Sequence, residues 1–349
     1  MTRRAVVLFN LGGPDQPAAI KPFLLNLFRD PAILRVPFFI RPFLARWIAR
    51  ARLAPATANY ALLGGKSPLL ELTEHQAHAL ESALGDGTKC FIAMRYWHPF
   101  SMATARAVKE FAPEEIFLLP LYPQYSTTTT GSSLTAWREA AAQAGLVART
   151  TVLCCYPEDN GFAAATATLL RETMVTARTE IADDAKLRIL FSAHGLPETI
   201  IQRGDPYQNQ IERSVAAVLA ALQKDVDWTI CYQSRATPQK WISPSTDEEI
   251  LRAGRDKVAV IVVPIAFVSD HSETLVELDI EYRELAEKSG VPGYFRVKAA
   301  NNFPPFIAAL ADLVRQATRR GPGLCAASEG AMCNAMHKNC PHRLADLTV

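Results

Sequence analysis

The stretch LRILFSAH, residues 187–194, is a short apolar run that ends in a histidine. Runs of this length, bounded by polar or turn-forming residues, predict buried strands, and the segments between such runs in this chain have helical character. Strands that alternate with helices form parallel sheets through βαβ crossovers. The sequence therefore predicts an α/β fold in which His194 lies where a strand ends.

Eight runs of this kind fall into two series of four. The first series is RAVVLFN (4–10), CFIAMRY (90–96), EIFLLPLY (115–122) and TTVLCCY (150–156). The second series is LRILFSAH (187–194), DWTICYQS (227–234), VAVIVVPIAF (258–267) and YFRVKA (294–299). We therefore expect two similar α/β domains, each a four-stranded parallel sheet flanked by helices. The expected bounds are 1–157, completed by a C-terminal helix and tail at 303–349, and 158–302.

Polar residues follow several of these strands, at the edge where open α/β sheets bind their ligands. Two such edges that face each other would form a cleft between the domains. His194 lies at one of these edges, in LFSAHGLP. A histidine at such a corner is commonly structural, yet its ordinary pKa of about 6.5 also suits proton exchange or metal binding.

The composition limits the class of protein. The chain has 349 residues, of which 49% are hydrophobic and 21% charged, and its net charge of +2 gives no general argument for binding nucleic acid. The start, MTRRAVVLFNLGGP, lacks the pattern of a signal peptide. The seven cysteines are therefore expected to be reduced thiols or metal ligands in a cytoplasmic protein.

Residues 31–55, PAILRVPFFIRPFLARWIARARLAP, combine large apolar side chains with arginines. They fall short of the roughly 18 uninterrupted apolar residues that a membrane-spanning helix needs. Arginine beside large apolar groups suits a surface that lies on a membrane without crossing it. The alternative is a buried helical hairpin that covers a core.

The segment SDHSETLVELDIEY, residues 269–282, carries a row of acids. On an α-helical wheel, Asp270, Glu273, Glu277 and Glu281 fall within one stripe of roughly 80°. Such a row is commonly a solvated face, but this stripe has apolar borders. The alternative is a path for protons or for a divalent cation.

The tail segment CAASEGAMCNAMHKNC, residues 325–340, places Cys325, Cys333 and Cys340 within sixteen residues. Free thiols, a zinc site and an iron–sulfur cluster are all compatible with this spacing taken alone.

Eight motifs resemble those of the ferrochelatase family, whose enzymes insert ferrous iron into a porphyrin in haem synthesis. In chain order they are FNLGGP, FLLNLFRDP, GGKSPL, MRYWHP, YPQYSTTTTGSS, LFSAHGLP, YQSRATPQKWISPST and PIAFVSDHSETLVELDIEY. The resemblance extends from residue 4 to about residue 305. It implies two Rossmann-like domains around a porphyrin cleft, and the insertion of Fe²⁺ into protoporphyrin IX to form protohaem, the terminal step of the pathway.

The resemblance also implies roles for individual residues. His194 and Glu273 match the pair that faces the porphyrin centre and is commonly treated as iron-binding, while Glu277 and Glu281 would conduct protons or metal. The pocket residues fall into three sets. Candidates for packing against the ring are Tyr122, Trp241 and Phe267, the polar positions around the cleft are Arg95, Asp270 and His271, and the candidates for the propionates are Arg52, Tyr60 and Ser234.

Residues 31–55 match the lip of the family's active site, which favours peripheral contact with a membrane surface. The cluster ligand that animal members carry in the YPQYS motif is Thr127 here, so their cluster site does not transfer. Some bacterial members bind a [2Fe–2S] cluster through three tail cysteines and one from mid-chain. By that likeness the ligands would be Cys325, Cys333 and Cys340, together with Cys154 or Cys155, with His342 as a further alternative.

Two rival functions stay open. One is a chelatase for another tetrapyrrole, either coproporphyrin or a cobalt-accepting precursor. The other is a protein that binds metal or haem without catalysis. The sequence does not distinguish a monomer from a homodimer.

Overall fold

The computed structural model describes residues 2–182, 185–234, 239–327 and 333–343. Its strands in chain order are Arg4–Asn10 (β1), Thr88–Met94 (β2), Glu115–Pro120 (β3), Arg149–Leu153 (β4), Leu187–His194 (β5), Asp227–Gln233 (β6), Ala259–Pro264 (β7), Tyr294–Arg296 (β8) and Gly323–Cys325 (β9). They form two sheets, ordered β2-β1-β3-β4-β9 and β6-β5-β7-β8, in which every pairing between neighbouring strands is parallel. The predicted α/β class with two parallel sheets is confirmed.

The prediction of four strands in the first sheet was wrong by one. The tail adds β9, whose residues pair with β4 from Thr151–Gly323 to Leu153–Cys325. This strand has three residues and begins at the last glycine of the Gly-Pro-Gly sequence 321–323, so it contains too few apolar residues to predict a strand. The division into domains at 157/158 and 302/303 stays a prediction.

Helices cover the sheets. They are Ile20–Arg29 (α1), Arg41–Leu62 (α2), Leu69–Leu84 (α3), Ser101–Phe111 (α4), Thr130–Ala144 (α5), Asn160–Glu180 (α6), Glu198–Gln202 (α7), Tyr207–Leu222 (α8), Thr246–Asp256 (α9), Tyr282–Lys288 (α10) and Pro304–Arg320 (α11). Local signals explain several starts: α9 begins with a capping box of Ser245 and Glu248, and α11 begins with prolines in its first turn. Helix α11 packs against α3 and α6.

The largest apolar cluster joins the two sheets. It contains Leu8 of β1, Phe117 of β3, Phe191 of β5 and Ile261 of β7, together with the buried face of α11. The central strands of both sheets are therefore held by one packed core. The polar residues at the ends of β5 and β6 are attached to this rigid core.

Residues 31–55 lie at the surface. Phe38, Phe43 and Trp47 expose 79%, 71% and 69% of their surface, so the interpretation as a buried hairpin was wrong. Pro42 does not break the segment, because it occupies the first turn of α2, where a proline is tolerated. In the part of the chain that is described, no helix combines the length and the apolar character needed to cross a membrane.

Candidate active site

His194 and Glu273 face each other at the carboxyl edge of the second sheet. His194 ends β5, and Glu273 begins a π-helical segment, Glu273–Glu281, that follows β7. His194 Nδ1 lies 3.2 Å from Glu273 Oε2, and the two side chains are 36% and 29% exposed. This approach is close, but His194 Nδ1 has no aligned hydrogen-bond partner among the described residues. The pair is thus preorganised, and the partial exposure of both side chains gives a ligand access to it.

His271 brackets Glu273 from the other side. Its Nε2 lies 3.4 Å from Glu273 Oε2, and its Nδ1 lies 3.1 Å from the carbonyl oxygen of Ser269. A carbonyl only accepts, so Nδ1 donates to Ser269, and this bond orients the ring with Nε2 directed at Glu273. The Phe267 ring packs edge-on against this imidazole at 4.7 Å between centroids. The structure thus brings together four of the predicted residues.

Charge rather than burial determines the protonation of the pair. Burial alone would lower the pKa of His194, but the carboxylates of Glu273 and Glu277 outweigh it, so the pKa is raised. Burial alone would raise the pKa of Glu273, but His194 and His271 outweigh it and hold that pKa well below its usual range. Glu273 is therefore a carboxylate at neutral pH, and His194 is a stronger base than a free imidazole.

Glu277 lies behind the pair, in a ring of donors. It accepts hydrogen bonds from the backbone N–H of Ser234 at 2.8 Å, from Gln233 Nε2 at 2.9 Å, from the Tyr282 hydroxyl at 3.2 Å, and from the Ser234 hydroxyl. Burial and the neighbouring Glu273 nevertheless raise its pKa. Glu277 therefore binds a proton more readily than an ordinary glutamate does.

The acidic row differs from the prediction in its helix type. Residues 273–281 form i→i+5 hydrogen bonds instead of i→i+4, so each residue turns less far around the axis. Glu273, Glu277 and Glu281 still share one stripe, since a spacing of four lies close to one turn of either helix. The row runs from the partly open Glu273 through the half-buried Glu277 to the exposed Glu281.

Asp270 does not belong to this stripe. Its carboxylate accepts hydrogen bonds from Arg296 Nη1 at 2.9 Å and from Asn301 Nδ2 at 2.8 Å, and it is buried. Arg296 also forms two bonds to Asp279, at 2.6 and 2.7 Å. Asp270 therefore anchors the loop before the π-helical segment, and the prediction of a four-residue stripe that includes it was wrong.

Arg95 lies just beyond β2, in a network at the edge of the first sheet. Its Nη2 is 2.9 Å from Asp30 Oδ2, and its Nε donates to Ser132 Oγ at 2.6 Å. The same Asp30 oxygen accepts a hydrogen bond from the Tyr96 hydroxyl at 2.8 Å and one from Ser132. The sequence does not predict these contacts of Asp30, although Asp30 lies in the FLLNLFRDP motif that carried part of the resemblance.

The remaining pocket candidates are spread over several elements. Tyr60, near the end of α2, is buried, and burial raises its pKa to about 12. The Tyr122 hydroxyl is buried and unpartnered within the described residues, whereas Trp241 packs beside Gly195. Arg52 is half-buried on α2. Of the three predicted propionate residues, Ser234 already uses its backbone N–H and its hydroxyl on Glu277.

Five cysteines lie near one another beside β4. Cys154 Sγ is 3.4 Å from Cys155 Sγ, and Gln210 Nε2 lies 3.5 Å from Cys155 Sγ and 3.3 Å from Cys333 Sγ. The interaction between Cys333 and Cys340 lowers the pKa of Cys333 and raises that of Cys340. Cys325 lies in β9, directly beside Leu153 of β4. The described residues contain no group of three or more cysteine, histidine or acidic side chains already arranged around a common metal position.

Comparisons with known proteins identify the family of this chain. A family model described as ferrochelatase matches residues 3–318. The ferrochelatase of Caulobacter vibrioides (strain NA1000 / CB15N) is 53% identical over 98% of this chain and 99% of its own length, and that of Phenylobacterium zucineum is 51% identical over 93% and 96%. The solved structure of sirohydrochlorin chelatase SirB from Bacillus subtilis subspecies spizizenii, in complex with cobalt, covers 91% of this chain and 97% of its own, with a TM-score of 0.52 at 13% identity. At that identity the structural likeness shows the fold alone.

Proposed function

The chain belongs to the ferrochelatase family, and we propose that the His194–Glu273 pair is the place where its metal substrate meets the porphyrin. The protein is an enzyme that inserts Fe²⁺ into a porphyrin in haem biosynthesis. The observation that carries the assignment of the pair is the 3.2 Å approach of a basic imidazole and an ionised carboxylate in a partly open position.

Insertion replaces two pyrrole N–H protons by one Fe²⁺, so two protons must leave the ring. His194, with its raised pKa, is suited to accept the first. Glu273, an oxygen ligand held ionised by two imidazoles, is suited to bind the incoming cation. Glu277 then accepts protons behind the pair and passes them to Glu281 at the surface.

We propose protoporphyrin IX as the porphyrin. The exposed Phe38, Phe43 and Trp47 border the segment that leads to Tyr60, and an apolar entrance suits the less polar substrate. Zinc insertion, followed by the fluorescence of the product, tests this choice because Zn²⁺ needs no reductant. We expect turnover with protoporphyrin to exceed turnover with coproporphyrin. The reverse preference would indicate the rival chelatase, and porphyrin binding without any insertion would indicate the non-catalytic binding protein.

The apolar segment also supports a proposal about location. We propose a cytoplasmic enzyme that touches an anionic membrane through α2, where exposed aromatic side chains alternate with Arg46 and Arg50. Flotation with phosphatidylserine-containing vesicles tests this. Trp47→Ser should weaken binding, whereas Trp228→Ser, which removes a tryptophan that is 44% exposed on β6, should not. Equal binding by both variants would refute the lip as the contact.

We propose that the tail cysteines hold a [2Fe–2S] cluster. The donor set fits, because Cys325, Cys333 and Cys340 are all buried near the end of β4, and cysteine thiolates are the usual ligands of such a cluster. Gln210 contacts the sulfurs of both Cys155 and Cys333, which favours Cys155 over Cys154 as the mid-chain ligand. When bound, such a cluster would supply one-electron chemistry.

Protein purified without oxygen provides the test. Iron and acid-labile sulfide should be present, and Cys155→Ser should lose both, whereas Cys154→Ser should retain them. Loss in the Cys154 variant alone would reverse the ligand assignment. Zinc without sulfide would indicate a zinc site, and protein with neither metal nor sulfide would indicate free thiols.

A further inference from the structure

The first turn of α8 touches both the active site and the cysteines. Tyr207, its first residue, donates its hydroxyl hydrogen to the carbonyl oxygen of His194 at 3.0 Å. Gln210, one turn later, contacts the sulfurs of Cys155 and Cys333 with its side-chain nitrogen. Both α8 side chains are buried, so solvent does not replace these bonds when they are lost.

The bond from Tyr207 fixes the backbone of a residue that faces the substrate. His194 is the last residue of β5, so the sheet no longer restrains the chain beyond it. Gly195 N–H still donates to the Gln233 carbonyl at 2.8 Å, which holds one side of the corner. Tyr207 holds the other side. Losing its hydroxyl would leave a partly buried carbonyl without this partner and free the imidazole to shift.

The cysteine-bearing tail rests on the turn that leads into α8. Gly204 has φ +94°, and a Cβ there would lie 2.7 Å from the backbone nitrogen of Lys338. Asn339 N–H donates to the Gly204 carbonyl at 3.1 Å. Asp205 follows and accepts from the backbone N–H of Tyr207 at 3.0 Å. The tail, this turn and Tyr207 are therefore in continuous contact.

We propose that α8 couples the cysteine site to the active site, with Tyr207 as the positioning residue for His194 and Gln210 as the contact with the cysteine sulfurs. The role of Gln210 rests on the cluster proposed above. The role of Tyr207 rests only on hydrogen bonds within this chain. An N–H donor binds a charged, metal-bound sulfur more strongly than a thiol, so Gln210 is held most firmly when the cluster is present. Hydrogen bonds to the sulfurs also set the reduction potential of such a cluster.

The test compares three substitutions on α8. Tyr207→Phe removes the bond to His194, Gln210→Leu removes the contact with the sulfurs, and Ser214→Ala is the control. Ser214 accepts a buried hydrogen bond from Gln124 at 2.8 Å on the same helix, but it touches neither site. The readouts are kcat and KM for zinc insertion, the midpoint potential of the cluster, and the ring nitrogen signals of His194 in histidine-labelled protein, assigned by their absence from His194→Ala.

We expect Tyr207→Phe to lower kcat about tenfold, equivalent to ~1.4 kcal/mol, with KM for the porphyrin unchanged. The His194 signals should shift, and the midpoint potential should not. Gln210→Leu should lower the potential and shift the His194 signals in the same direction, while Ser214→Ala should change none of these readouts.

Unchanged His194 signals in Tyr207→Phe, or an equal shift in Ser214→Ala, would overturn the positioning role. An unchanged potential and unchanged His194 signals in Gln210→Leu would overturn the coupling. Protein without iron and sulfide would refute the cluster and with it the coupling through Gln210. The Tyr207→Phe measurements would still decide whether Tyr207 positions His194.

Discussion

The two sheet edges differ in how completely the carboxylates of Asp30 and Glu273 are hydrogen-bonded. At the first edge, Asp30 is buried and receives three side chains, so its charge is matched by Arg95 and its oxygens are occupied. At the second edge, Glu273 is 29% exposed and approached by two imidazoles at 3.2 and 3.4 Å. A satisfied network stabilises structure, whereas an incompletely bonded pair is available to a substrate. We therefore expect the first edge to contribute mainly to stability and the second to carry the chemistry.

Among the acidic residues, Glu273 should show the largest effect on turnover when it is replaced by glutamine. The amide has the same shape but cannot provide the negative charge that attracts the cation and raises the pKa of His194. We expect kcat for zinc insertion to fall about 10³-fold, within the range of a group acting directly in proton transfer and charge stabilisation. The melting temperature should change little. A variant with near-normal kcat would remove Glu273 from the chemistry.

Asp30→Asn should act on stability instead. Breaking a buried ion pair leaves Arg95 without its carboxylate, and we expect the free energy of unfolding to fall by about 3 kcal/mol in urea titrations. Glu115→Gln is the control, since Glu115 pairs with Arg4 and Arg149 near the surface and should cost only about 0–1 kcal/mol. Equal costs for the two variants would contradict the contrast between a buried network and surface pairs.

The smallest effects should come from the outer part of the acidic row. Glu277→Gln removes a half-buried proton acceptor behind the pair, and we expect kcat to fall about tenfold. Glu281→Gln, at the exposed end, should slow turnover only about twofold, because water can replace its function. Steady-state zinc insertion at saturating porphyrin measures both. A larger loss for Glu281 than for Glu277 would contradict the order of the path.

The sequence predicts much of the second edge because its signals are local. The strand that ends at His194 and the row from Glu273 to Glu281 are each contained in one motif. The π-helical geometry was not predictable, since a spacing of four residues keeps acids on one face of either helix type. The three glutamates therefore share one face, although the helix is of the π type and not the α type.

The features that the sequence does not predict depend on partners that are distant in the chain. The helical wheel places Asp270 in the acidic row. Only its bonds to Arg296 and Asn301 show that it anchors a loop instead. Asp30 reaches Ser132 across 102 residues. Strand β9 forms only because β4 offers it an edge. Periodicity within a segment carries no information about such partners.

The most direct test of the central claim is zinc insertion by His194→Ala, measured beside the unaltered protein after porphyrin binding has been matched by fluorescence titration. If the His194–Glu273 pair is where insertion occurs, the variant will bind protoporphyrin and keep its fold, but its turnover will be undetectable. Near-normal turnover by a folded, porphyrin-bound His194→Ala would contradict that claim.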